Sequence, residues 1–218
     1  MHFRKSLFMT ALFFIVLNGC ATVPPVRDAL KEDLKMPAGK IEGNHFTGIR
    51  YPFNVSVPSH WKMTLEFPDF LEALGYDRPS PTDREQTELY AYDPDTKSNI
   101  QFDFTPAGRY STFNQAKIEW LTTAATDSLK SEIEKDYGKD TKVEVGPTEP
   151  ISLKGVQFAA KKYAIYTVKG VKREQGWIYG FTEPYQIFIL YMILEKEGTN
   201  DREDLKKILD SLEVISKK

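Results

Sequence analysis

The chain has 218 residues, 28% of them charged and 13% aromatic, with 29 Lys and Arg against 31 Asp and Glu and one cysteine. A formal net charge of −2 supplies no basic face for nucleic acid, and one thiol excludes an internal disulfide. The length suits a leader followed by one domain with one core, so stability has to come from packing.

Met1 to Cys20 opens with Arg4 and Lys5, continues through an apolar run from Leu7 to Leu17 and ends Leu17-Asn18-Gly19-Cys20. A charged start, an apolar middle and a small residue before the cut are the three parts of a secretory signal. The run is eleven residues, whereas a helix needs about 20 to cross the hydrocarbon core, so a permanent span is disfavoured. The cysteine at the cut resembles the lipobox of bacterial lipoproteins, with Asn18 departing from the Ala, Ser or Thr usual there. That resemblance implies acylation of Cys20, cleavage after Gly19 and a membrane held through acyl chains. Ala21, where inner-membrane retention signals carry Asp, implies the outer membrane facing the periplasm. Cleavage removes Arg4 and Lys5 and no acid, leaving 27 basic residues against 31 acidic ones.

The leader is thus residues 1–19, a lipidated tether is expected over 20–44, and the domain over 45–218. The tether is polar and broken by Pro24, Pro25 and Pro37. Val26 to Leu34 has a narrow apolar face that could instead form a docking helix.

Strands are expected at His45–Arg50 and at Phe53–Val57, which alternates strictly. Asp69 and Gly75 bracket a short helix. Strands follow at Thr87–Tyr92 and Asn99–Thr105 around a polar turn. Thr112 and Gln115 form a capping box opening a long helix. Its apolar stripe runs through Ile118, Leu121, Ala125, Leu129 and Ile133, widened by Trp120 and Ala124, and Gly138 ends it. Short strands are expected at Lys142–Val145 and Ile151–Leu153. Long ones follow at Val156–Val168, Lys172–Phe181 and Tyr185–Leu194, joined by tight turns. Ile187–Leu194 is apolar at every residue and so marks the central strand. Asn200 caps a last helix that buries Leu205, Ile208, Leu209 and Leu212, and Glu213–Ser216 closes as an edge strand. The fold class is α+β, a central antiparallel sheet flanked by helices.

Tyr51-Pro52-Phe53-Asn54-Val55-Ser56-Val57-Pro58-Ser59-His60-Trp61 resembles the opening motif of the PsbP-like family, as does the closing Ile208-Leu209-Asp210-Ser211-Leu212. His60 stands where that family usually has Gly, and Leu212 where it often has Phe. The resemblance implies an α/β/α sandwich and a binding or assembly role without catalysis.

The residues themselves name no catalytic centre. His45 and His60 have no zinc-ligand spacing, His60 reads as a turn residue, and no Gly-x-Ser-x-Gly elbow occurs. Asp93–Asn99 has the look of a calcium loop but puts Lys97 at a ligand position and Phe104 where the bidentate Glu belongs, so it reads as a polar turn. Neither a metal nor a cofactor is expected. The candidate site residues are Cys20 for the lipid and, for a ligand or partner, Trp61, Trp177, Tyr179, Phe181 and Tyr185. This aromatic set is core unless part of it stays exposed, in which case Lys169–Glu174 and Glu195–Arg202 would form its rim. Three functions follow in order: a lipid-anchored envelope module that binds a protein partner, a carrier or sensor of a small apolar or aromatic ligand between the long helix and the sheet, and a hydrolase with a dispersed site.

Overall fold

The computed structural model describes residues 35–79, 87–107, 112–124, 129–196 and 198–215. The leader, Cys20 and the first part of the tether lie outside these residues. Strands β1 (Gly39–Glu42) and β2 (His45–Gly48) form a hairpin, followed by β3 (Phe53–Ser56), β4 (Lys62–Thr64) and the short helix α1 (Phe70–Ala73). Next come β5 (Thr87–Tyr92), β6 (Asn99–Pro106), α2 (Gln115–Ala124) and α3 (Leu129–Tyr137). Short β7 (Val143–Val145) and β8 (Glu149–Pro150) precede the long strands β9 (Phe158–Val168), β10 (Val171–Thr182) and β11 (Tyr185–Glu195). Helix α4 (Asp201–Ser211) and β12 (Glu213–Val214) end the fold.

Two antiparallel sheets result. The small one has the order β1-β2-β3-β12; the large one runs β4-β5-β6-β11-β10-β9-β7, with β8 also paired to β9. The all-apolar run lies on β11, the middle strand of that path, where both faces are covered. Lys169 and Gly170 make the β9–β10 turn at φ 50° and 80°, the paired positive values of a type I′ hairpin.

Register sorts the core into two layers. Ile187, Ile189 and Tyr191 share a face with Phe104, Phe102 and Ile100, their partners on β6. The small sheet and α4 cover this first face. Phe53 of β3 stacks on Phe104 with ring centroids 4.4 Å apart, and Leu205 and Ile208 of α4, with Leu212 just beyond its end, complete the same cluster. On the second face, α3 packs Leu129 and Ile133 over Tyr166 and Trp177, while α2 packs Ile118 over Ala160 and Phe181. The α+β class and the central antiparallel sheet are therefore as expected, but one of the two flanking layers is part helix and part second sheet.

Four local readings change. Gly39–Glu42, inside the stretch read as tether, is a strand. The Gly43-Asn44 turn, with Gly43 at φ 59°, folds it back on β2, and Gly39 lies under the Phe46 ring where no side chain fits. The helix after Thr112 is capped by Asn114, whose Oδ1 accepts the Lys117 N–H at 2.8 Å, not by a Thr112–Gln115 box. Gln115 instead donates to Glu119 and to the Ala159 carbonyl. Trp120 does not widen the stripe: it is 60% exposed, because Ile118 and Thr122 set the buried side and residue 120 lies about 200° around the helix from Ile118. Finally, β8 replaces the strand expected at Ile151–Leu153, pairing persisting there only through Ile151 N–H to the Ala159 carbonyl.

Gly155 shows why the chain end is fixed. Its φ is 78°, and a Cβ there would run into the Val214 backbone. Glycine alone lets Lys154 accept the Val214 N–H at 2.9 Å and dock β12.

Candidate functional site

Strand parity decides where the aromatic candidates go. Trp177, Tyr179 and Phe181 alternate on β10 and face α2 and α3, with Trp177 and Phe181 buried at 6% and 7% exposure. Trp61 is 2% exposed and belongs to the core between the sheets. Tyr185 is half-buried on the other side of the sheet, edge-on to Tyr51 at 5.5 Å. The five residues therefore divide among three clusters and line no common surface.

The rim expected around those aromatics does not form there: of its residues, Glu174 and Arg202 come together on the first face, away from Trp177, Tyr179 and Phe181. Glu174 is three residues from Trp177, an odd number, so it points the opposite way. There a groove of about 420 Å³ opens between α4 and the β9 side of the sheet. Tyr163 and Ile165 of β9 with Leu205 and Leu209 of α4 give it an apolar floor, and Lys161, Glu174, Arg202 and Lys206 stand round it. Ile165 lies directly across the ladder from Glu174.

Its polar groups are held in place. Glu174 is 8% exposed; its Oε1 accepts the Tyr191 hydroxyl at 2.9 Å and its Oε2 lies 3.0 Å from Arg202 Nη2. The same Arg202 nitrogen reaches Glu195 at 2.7 Å. Burial, followed by the neighbouring Glu174 charge, pushes the Tyr191 hydroxyl far above the ordinary tyrosine range, so it stays a neutral donor. Gly176 makes room for this pair, since a Cβ there would meet the Tyr191 ring. Lys161 sits over the Tyr163 ring at 5.2 Å. Sequence reading missed Tyr163 and Ile165, although their alternation with Ala164 and Tyr166 carried the signal.

His60 occupies a turn closed by Trp61 N–H to the Pro58 carbonyl. Its Nε2 lies 2.9 Å from Asp204 Oδ2 and 3.6 Å from Asp93 Oδ2, tying the turn to α4. Asp93 Oδ1 accepts the N–H groups of Asp95 and Thr96, which makes Asp93–Asn99 a polar turn. Ser98 is fully buried and donates to Asp201 at 2.5 Å. Among the described residues no cluster of three or more His, Cys, Asp and Glu side chains is placed to hold a metal ion. Among them, too, no helix is long and apolar enough to cross a membrane.

No family model matches the chain, and no curated protein matches it in sequence. Similar solved structures include cyanobacterial PsbP (CyanoP) from Synechocystis, at TM-score 0.49 and 10% identity over 91% of this chain and 99% of that one. A Bacteroides thetaiotaomicron protein has TM-score 0.47 and 11% identity over 81% of this chain, which spans 50% of that protein. LpqN, involved in cell envelope biogenesis of Mycobacterium tuberculosis, has TM-score 0.47 and 12% identity over 76% of this chain and 84% of that one.

Proposed function

We propose that the protein is a lipid-anchored module of the bacterial cell envelope that binds a partner protein through the α4–β9 groove and does no chemistry of its own. The observation that carries this reading is the groove itself: an apolar floor edged by the paired Glu174 and Arg202 and by two lysines, Lys161 and Lys206. That is the anatomy of a docking site, with an apolar centre and a polar rim. Cys20 would hold the domain to the membrane, the outer membrane facing the periplasm being favoured, through two or more acyl chains, each buried methylene contributing about 0.8 kcal/mol. Catalysis finds little support. His60 is engaged by two carboxylates, and the Ser98 hydroxyl is buried and committed to Asp201.

A second reading, a carrier or sensor of a small apolar or aromatic ligand, draws on the same groove. Its volume lies within the roughly 300–1,000 Å³ usual for small-molecule sites.

Two outcomes test these readings. Cys20→Ala is expected to move the protein from the membrane pellet to the soluble exported fraction; unchanged partition refutes the anchor. Leu209→Asp puts a charge on the half-buried edge of the floor. It is expected to cut recovery of a crosslinked partner about tenfold or more; because Leu209 packs against the main core cluster, both proteins are compared well below the variant's own thermal midpoint. Loss of a co-purifying small molecule with no protein partner would favour the carrier reading.

A further inference from the structure

One end of the small sheet gathers exposed apolar side chains from three separate segments. β1 begins there, the β2–β3 connection crosses there and β12 leaves there. Hydrogen bonds stitch these segments together. The N–H groups of Ile49 and Arg50 both donate to the Ala38 carbonyl, the Arg50 guanidinium donates to that of Met36, and the Ile215 N–H donates to that of Pro52 at 2.7 Å. Each segment holds a large apolar side chain in water: Met36 is 44% exposed, Ile49 48% and Ile215 48%.

Packing gives these three no reason to be apolar. The core behind them is closed by Phe46, Tyr51, Phe53 and Val214, each at most 4% exposed. Apolar side chains exposed singly are ordinary, but a group of them on one tip marks a contact with a partner or a membrane.

The path of the chain decides between the two. Because Gly39–Glu42 is a strand, the tether from Cys20 enters the domain at this tip, after the fifteen residues Cys20 to Leu34. A coil of that length reaches about 20 Å on average and about 50 Å when fully stretched. A domain of this size has a radius of gyration of about 16 Å, which puts its far side roughly 40 Å away. The tip is therefore the part that the tether keeps beside the bilayer, at high effective concentration. Charge decides little: Lys217 and Lys218 follow Ile215, but Glu183 is exposed on the turn whose Tyr185 meets Tyr51.

We propose that this tip is a second membrane contact, with Met36, Ile49 and Ile215 seated among the lipid headgroups, so that the anchored domain lies on the bilayer in one orientation. Three side chains do not hold the protein there alone, and Cys20→Ala still releases it. The contact rests on the Cys20 anchor and is independent of the α4–β9 groove. With Cys20 acylated, an introduced cysteine is the only free thiol, so an environment-sensitive fluorophore can be placed at Ile49→Cys or, at the opposite end of the small sheet, at exposed Asn44→Cys. The full acylated protein is reconstituted with vesicles of phosphatidylethanolamine and phosphatidylglycerol and recovered by flotation. The label at 49 is expected to shift to the blue and to lose about half or more of its emission to a headgroup-borne nitroxide; the label at 44 should stay aqueous. Ile215→Asp is expected to return the label at 49 to its aqueous emission, and Ile215→Leu to keep the shift, with little effect on the fold at this exposed position. Labels at 49 and 44 that are equally aqueous or equally quenched, or no response to Ile215→Asp, overturn the contact in a protein that still floats and leave the anchor standing. Failure to float refutes the anchor and the contact together.

Discussion

Replacing Phe53 with alanine is expected to lower the unfolding free energy by about 3–5 kcal/mol. Phe53 has no exposed surface and joins the two sheets. Its ring lies 4.4 Å from Phe104 and 6.1 Å from Phe102 on the large sheet, and 5.0 Å from Phe46 within the small one. Alanine removes all three ring contacts, and the surrounding strands, pinned by their ladders, have little freedom to fill the space. Domains are stable by only about 5–15 kcal/mol, so the urea midpoint should fall by a large fraction of its value. Trp120→Ala, on the exposed side of α2, supplies the control and should stay within about 0.5 kcal/mol of wild type. A cost below about 1 kcal/mol for Phe53→Ala, well short of the usual range for such a change, would mean that the sheets do not share one core.

The second large effect concerns pH. Glu88 is 1% exposed at an irregularity in the β5–β6 ladder, and its Oε1 accepts from Arg50 Nη1 at 2.9 Å. Arg50 also donates twice to the Met36 carbonyl, so this pair holds the domain's entry segment. Burial pushes the Glu88 carboxyl up to about 7, against the opposing pull of the Arg50 charge. A carboxyl with a raised folded pKa binds its proton more tightly when folded. Its contribution is therefore fully present below the unfolded value near 4.5 and is lost as pH rises through 7. The group should make the protein about 3 kcal/mol less stable at pH 8 than at pH 4, a shift of 1.36 kcal/mol per pKa unit. Glu88→Gln keeps the volume and an acceptor for Arg50 but cannot titrate. Urea unfolding across that range should show the slope in wild type and lose that part of it in Glu88→Gln; equal slopes would remove Glu88 as the cause.

Much of this fold was legible because the sheet has period two and its strands are long. β5, β6, β10 and β11 lie within a residue or so of the expected ranges, and the apolar run Ile187–Leu194 lies where burial on both faces requires. Elements whose identity depends on distant partners were harder to read. Nothing local distinguishes Gly39–Glu42 from polar linker; what makes it a strand is Phe46 lying over Gly39. Asn114 and Thr112 are both good caps, and only the three-dimensional path of the Gln115 side chain to Ala159 separates them.

The site was half legible. The charged rim residues Glu174 and Arg202 were named, but they were joined to Trp177, Tyr179 and Phe181 across an odd spacing that puts them on opposite faces. The floor residues Tyr163 and Ile165 passed unnoticed because a half-buried strand face looks the same whether a helix covers it fully or leaves a groove. Cys20 and the leader lie outside the described residues, and their role rests on the sequence pattern.

The most direct measurement is photocrosslinking from the groove in intact cells. A benzophenone side chain at position 209 of the anchored protein should give one discrete protein adduct, and the same group at exposed position 130 on α3 should not. Transfer to the same adduct from both positions, or to no protein from either, would contradict a partner-binding role for the α4–β9 groove.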